Sequence, residues 1–84
     1  MSKKKNRITV EICGESYALK GDVEPEIIKE VAAVLDARMS QVAKANPRQS
    51  TARIAVLAAL NITDELLRLE KDYKQILKML KEGR

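Results

Sequence analysis

The sequence has no histidine, tryptophan or phenylalanine, and its 84 residues include one cysteine, two prolines, three glycines and two tyrosines. Without histidine there is no imidazole base and no His-ligated metal. A single thiol makes neither an internal disulfide nor a thiolate metal cage. No stretch approaches the ~20 apolar residues of a membrane span. The basic start leads into an alternating segment rather than an apolar run, so a secretory signal is not expected and a cytoplasmic protein is. The scarcity of aromatics also bears on folding. At roughly 70–80 residues and below, one core rarely supplies more than about 3–5 kcal/mol. A chain of this size with two tyrosines as its only aromatics is expected to draw on a partner chain.

What is present is 45% apolar and 33% charged, with a net charge of +4. Lys3, Lys4, Lys5 and Arg7 hold four of the 16 positive charges, which leaves residues 8–84 with 12 basic and 12 acidic side chains. The surplus is therefore a short basic tail, expected to be disordered over residues 1–6, on a neutral body. A nucleic-acid-binding domain usually clusters its cations on a folded face, so this distribution speaks against one.

Residues 7–20 have the period of a half-buried strand pair. Ile8, Val10 and Ile12 alternate with Thr9, Glu11 and Cys13, and Gly14-Glu15 is the expected two-residue loop, with glycine first as a type II′ turn prefers. That closure sets Ile12 opposite Tyr17 and Val10 opposite Leu19, with the large apolar side chains on one face. Cys13 then lies on the other face as a structural residue. A lone hairpin is marginal in water, so its apolar face must cover something.

Residues 25–45 predict a first helix. Pro25 suits the first helical position and Glu26 the positive end of the dipole, with Asp22 just upstream. Ile28, Val31, Leu35, Met39 and Val42 form its apolar stripe, widened by Ile27 and Val34. Pro47 ends it. Ser50 then caps a second helix that meets no glycine or proline before Gly83. Some 33 residues at 1.5 Å each make ~50 Å, against a diameter of roughly 30 Å for a compact 84-residue globule. The helix must project from its own domain.

The projecting half carries a heptad seam. Ile62, Leu66, Leu69, Tyr73, Ile76 and Leu80 follow at intervals of 4, 3, 4, 3 and 4, with Leu66, Tyr73 and Leu80 at a and the others at d. Between Ile54 and Ile62 the helix is apolar nearly all round, as expected of a segment buried on every side. Its first half therefore belongs to a head or dimer core and its second half to a coiled-coil arm. Leu77 at e and Met79 at g broaden the seam, which suits contact with more than one helix. The expected fold is α+β: a head of residues 7–49 with a hairpin and a helix, then a long coiled-coil helix over 50–82, in an oligomer. Ile54, Leu57, Ile62, Leu66, Leu69, Tyr73, Ile76, Leu77 and Leu80 are the candidate oligomer interface.

No pattern points to catalysis. Cys13 has no base beside it in the sequence, and the glycines are turn residues without a phosphate-loop signature. Lys71, Lys74, Lys78 and Lys81 repeat at 3, 4 and 3 on the outer face of the arm. A solvated face with cations near a helix C-terminus accounts for them better than an acidic partner does. Asn61 interrupts the apolar run and needs hydrogen-bond partners if buried. No catalytic residue, cofactor or metal is expected.

The segment Arg53-Ile54-Ala55-Val56-Leu57-Ala58-Ala59-Leu60-Asn61-Ile62-Thr63-Asp64-Glu65-Leu66 resembles the signature of the ZapA family, bacterial Z-ring-associated cell-division proteins. Arg7-Ile8-Thr9-Val10-Glu11-Ile12-Cys13-Gly14, with Tyr17-Ala18-Leu19-Lys20-Gly21-Asp22, is similar to that family's N-terminal hairpin. The resemblance implies a non-enzymatic cytoplasmic protein at the mid-cell division site. It implies dimers that join through antiparallel arms into a tetramer. It also implies binding and cross-linking of protofilaments of the tubulin-like GTPase FtsZ, promoting Z-ring assembly and septum formation. The family's FtsZ contacts are charged residues of the head without a strict motif, so the candidates here are Lys20, Lys29, Arg38, Lys44, Arg48 and Arg53. The runner-up is a small ribbon-helix-helix DNA-binding dimer, which would use one strand paired across the dimer and shorter helices. A coiled-coil adaptor with another client is a third reading.

Overall fold

The computed structural model describes residues 6–83. The tail expected over residues 1–6 lies outside the described residues, apart from Asn6, which opens the first strand. Four elements follow in order: β1 (Asn6–Ile12), β2 (Glu15–Gly21), α1 (Pro25–Ala45) and α2 (Thr51–Glu82). The architecture is α+β, a hairpin-and-helix head continued by one long helix.

The two strands pair antiparallel within the chain, with Val10 opposite Tyr17, Ile8 opposite Leu19 and Ile12 opposite Glu15. This corrects the loop by one residue. The turn is Cys13-Gly14, not Gly14-Glu15, and both residues have positive φ, 55° and 80°, as a type I′ turn requires. That turn follows the right-handed twist of the strands and gives Gly14 the more extreme angle. A shift of one residue in the loop moves each cross-strand partner by two. The apolar side chains therefore stay on one face although every pair changes. Cys13 leaves the outer strand face expected for it and becomes a turn residue, partly buried against the core. Its backbone N–H donates to Asp36 Oδ1 of α1 at 2.7 Å, which fastens the turn to the helix.

α1 starts after Glu24, whose extended backbone leads into Pro25 with no side-chain cap. It ends at Asn46, whose N–H reaches the carbonyls of Val42 and Ala43 while its Nδ2 donates to Val42 O at 2.9 Å. The buried stripe differs by one residue from the periodic reading: Ala32 is buried and Val31 is 61% exposed. α1 packs against β1 and α2, and the small Ala32 is buried on α1. The bulkier Val31 faces out.

α2 is capped by Ser50, whose Oγ accepts from the Arg53 N–H at 3.2 Å. Its 32 residues span ~48 Å at 1.5 Å each. The Cα radius of gyration is 17.4 Å and the longest extent 51 Å, against a radius near 12 Å for a compact chain of this length. Met39 and Val42 of α1 meet Ile54 and Ala58 of α2 in the central core. The segment around Ile54–Ile62 is not covered on all sides within the chain: Ile54 and Ala58 are buried, while Val56 and Leu60 are exposed. α2 has a single helical neighbour, so one stripe is covered and the others are left open.

Candidate functional site

The described surface has three parts that could meet other molecules: an apolar groove in the head, the seam of the arm, and scattered cations on the head. The groove is built from all of the elements except β1's outer end. Tyr17 and Leu19 of β2 form one wall, Val23, Ile27 and Val31 another, and Ala52 and Ala55 at the start of α2 the third. It has a volume of about 810 Å³, and Met39 lies at its base. Each wall follows from local sequence. The alternation of β2 puts Tyr17 and Leu19 on one face, and the helical period puts Ile27 and Val31 four residues apart on α1. The small Ala52 and Ala55 keep the third wall low. The sequence reading left this groove out of its candidate surfaces. The signal was present in Ile27 and Val31, apolar residues of α1 that line the groove and stay exposed beside the hairpin.

The groove runs into the seam, since Ala52 and Ala55 occupy the a and d positions that continue through Ile62, Leu66 and Leu69. Of the nine interface candidates, Ile54 is 6% exposed and belongs to the chain's own core. Leu57 and Ile62 are half-buried. Leu66, Leu69, Tyr73, Ile76, Leu77 and Leu80 are exposed along the arm, Leu69 at 65% and Leu80 at 70%.

The cations do not form one patch. Lys20 lies on β2 opposite Arg7, and Lys29 is in the second turn of α1. Lys44, Arg48 and Arg53 gather where the turn at 46–50 joins the two helices. Lys29 and Lys44 are fifteen residues apart on α1, about 22 Å along the axis. Arg38 is engaged inside the chain: Nη1 and Nη2 each donate to a Glu65 carboxylate oxygen at 2.6 Å. This bidentate pair ties α1 to α2 where the arm leaves the head. The hydrogen bonds from Arg38 hold the Glu65 carboxyl below its usual range, with desolvation opposing and the Arg38 charge adding. The same pairing raises the guanidinium in turn. Asn61 is exposed within the chain and lines the cleft beside this pair with Asp64. Among the described residues no cluster of His, Cys, Asp or Glu could hold a metal ion. None of the described helices is long and apolar enough to cross a membrane.

Residues 8–82 match the model of the family described as cell division protein ZapA. This chain belongs to the ZapA family. A cell division protein ZapA of Halalkalibacterium halodurans is 46% identical over 69 residues, 82% of this chain and 76% of the relative. That of Shouchella clausii is 41% identical over 70 residues, 83% of this chain and 90% of the relative. Among solved structures, a ZapA mutant dimer from Geobacillus stearothermophilus superposes with a TM-score of 0.72 at 32% identity, covering 96% of this chain and 94% of that one. An unknown conserved bacterial protein from Pseudomonas aeruginosa PAO1 has the same TM-score at 27% identity, covering 93% and 87%. The ZapA match spans the hairpin, both helices and the arm, so the groove and the seam both lie within the family's shared region.

Proposed function

We propose that this ZapA-family chain is a non-enzymatic cross-linker of FtsZ protofilaments, acting in the cytoplasm at the mid-cell division site. The observation that carries the reading is a continuous apolar surface, from Tyr17 and Leu19 in the groove to Leu80 at the tip of the arm, left open by a chain that is otherwise folded. Contiguous apolar patches of this kind mark association surfaces. Two copies cover their grooves and the first half of α2 against each other as a homodimer, a state supported by the dimer named in the Geobacillus stearothermophilus relative. Two dimers then join through antiparallel arms. The result is a rod with heads at both ends, and a linker with two separated binding ends gains avidity when both engage one bundle. The FtsZ-facing residues are the head cations that have no ion pair among the described residues: Lys20, Lys29, Lys44, Arg48 and Arg53. Arg38 is committed to Glu65 and serves the joint between head and arm.

A pelleting assay with FtsZ and GTP tests this reading. The wild-type chain is expected to increase sedimented FtsZ and thicken its bundles, and Leu69→Glu to abolish both by parting the arms while the head stays folded. Unchanged FtsZ sedimentation with the wild-type chain overturns FtsZ as the client. Bundling that survives a confirmed loss of the tetramer overturns cross-linking through the arms.

A further inference from the structure

The principal extents of the molecule are 51, 46 and 14 Å, a flat shape with two long dimensions. α2, at ~48 Å, accounts for one of them. The other requires α1 and the hairpin to lead away from α2 at a wide angle. The two helices share a small apolar contact near the turn that joins them, where Met39 and Val42 meet Ile54 and Ala58. Beyond Ala58 no described residue of α2 is buried, and only Ile62 is half-buried. The Arg38–Glu65 pair lies farther out still, at a cleft of about 510 Å³ that Val42, Leu57 and Ala58 also line.

That position gives the pair leverage. Glu65 is seven residues beyond Ala58 and Glu82 is 24, which is ~10 Å and ~36 Å along the helix. A tilt of about 10° about Ala58 would move Glu65 by ~2 Å, out of hydrogen-bond range, and carry the tip of the arm by ~6 Å. Two parallel bonds to one carboxylate also resist rotation of α2 about its own axis, as a single bond does not. A partly exposed ion pair adds only modestly to stability, but a forked one is directional.

The charges around the joint leave Arg38 this partner and no other. Residues 37–63 contain no carboxylate, and one turn away on α1 stand Val34, Leu35, Gln41 and Val42. Asp36 accepts from the Cys13 N–H, and Asp64 is held by Arg68 at 3.1 Å. Glu65 is the carboxylate that remains, and it comes from the other helix. We propose that Arg38 and Glu65 are positioning residues. Their forked pair is a strut that fixes the angle at which the arm leaves the head, and with it the spacing of the filaments that the rod joins. The strut stands on the geometry of one chain; its effect on filament spacing rests on the cross-linker reading above.

Pulsed electron spin resonance on the full chain tests it. Spin labels are placed on Lys20→Cys in the hairpin and Lys78→Cys in the arm, in a Cys13→Ser background. Each labelled chain is diluted into its unlabelled counterpart, so that distances within one chain are read. Arg38→Ala and Glu65→Ala are each expected to widen the distance distribution about twofold, and the exchange Arg38→Glu/Glu65→Arg to narrow it again. Arg38→Lys keeps the charge, loses the fork and is expected to fall between; it decides the matter if circular dichroism shows that the alanine variants lose helix. Widths that stay unchanged in the single variants, or an exchange that narrows nothing, overturn the strut. The spread of filament spacings in FtsZ bundles, measured by electron microscopy, is expected to widen along with the label distances. A constant spread overturns the effect on spacing. If the wild-type chain forms no FtsZ bundles, the cross-linker reading fails, and the label distances still decide the strut.

Discussion

Gly14 and Cys13 show how single residues close the hairpin. Both occupy the left-handed region, where an L side chain costs roughly 1–2 kcal/mol and glycine costs far less. A Cβ on Gly14 would meet nothing within 4 Å, so any penalty there is purely conformational. Gly14→Ala is therefore expected to destabilise the chain by about 1–2 kcal/mol, read as a lower denaturation midpoint with an unchanged urea m-value. Cys13 bears the same strain with a side chain in place. Its two compensations are the N–H bond to Asp36 and partial burial against the core around Met39 and Ile54. Neither is visible in a pattern of alternating residues, which is why the periodic reading put the loop one residue late. The lone glycine pointed to the right neighbourhood, and the contact with Asp36, 23 residues away, decided the position.

At the scale of elements, the joint between α1 and α2 rests on a small apolar contact and one ion pair. Ala58 is fully buried and Ile54 nearly so, and about two turns further along α2 the Glu65 carboxylate grips Arg38 through two hydrogen bonds. The folded state lowers the Glu65 pKa from its usual 4.5, chiefly through those bonds. Their stabilisation is thus fully present above the ordinary carboxylate value and is lost as pH falls through the lowered one. The gap in melting temperature between wild type and Glu65→Gln is expected to hold steady from about pH 7 to about pH 5 and to close as pH falls through the lowered carboxyl value. A gap that stays constant to the acid limit would show that the pair contributes through packing alone. The helix boundaries were legible because Pro25, Pro47 and Ser50 act locally. The choice of Ala32 over Val31 for the buried stripe was not, because it depends on how closely β1 approaches α1.

For the whole molecule, the governing fact is that one chain cannot cover what it exposes. Val31, Leu69, Tyr73 and Leu80 are each more than half open, and a helix of ~48 Å leaves the head no means of folding back over it. If a second copy fills the groove, folding is coupled to association by mass action. The thermal midpoint is then expected to rise with protein concentration, by several degrees over a hundredfold range. A midpoint independent of concentration would mean that the isolated head is stable with its groove open. The scattered cations belong to this scale too. Only the turn at 46–50 gathers Lys44, Arg48 and Arg53 at one end of the helices, which a list of basic residues along the chain does not reveal.

The sequence by itself determined the elements, the need for a partner and the seam. These follow from local period, caps and breakers, and from a helix too long for its own domain. The tertiary structure decided the rest: the hairpin register, the burial of Ile54 in the chain's own core, the pairing of Arg38 with Glu65, and the groove between hairpin and helices. Each of those depends on two distant segments meeting at a particular distance. A periodic pattern states which face is apolar, but not which apolar face its own chain will cover and which it will leave for another.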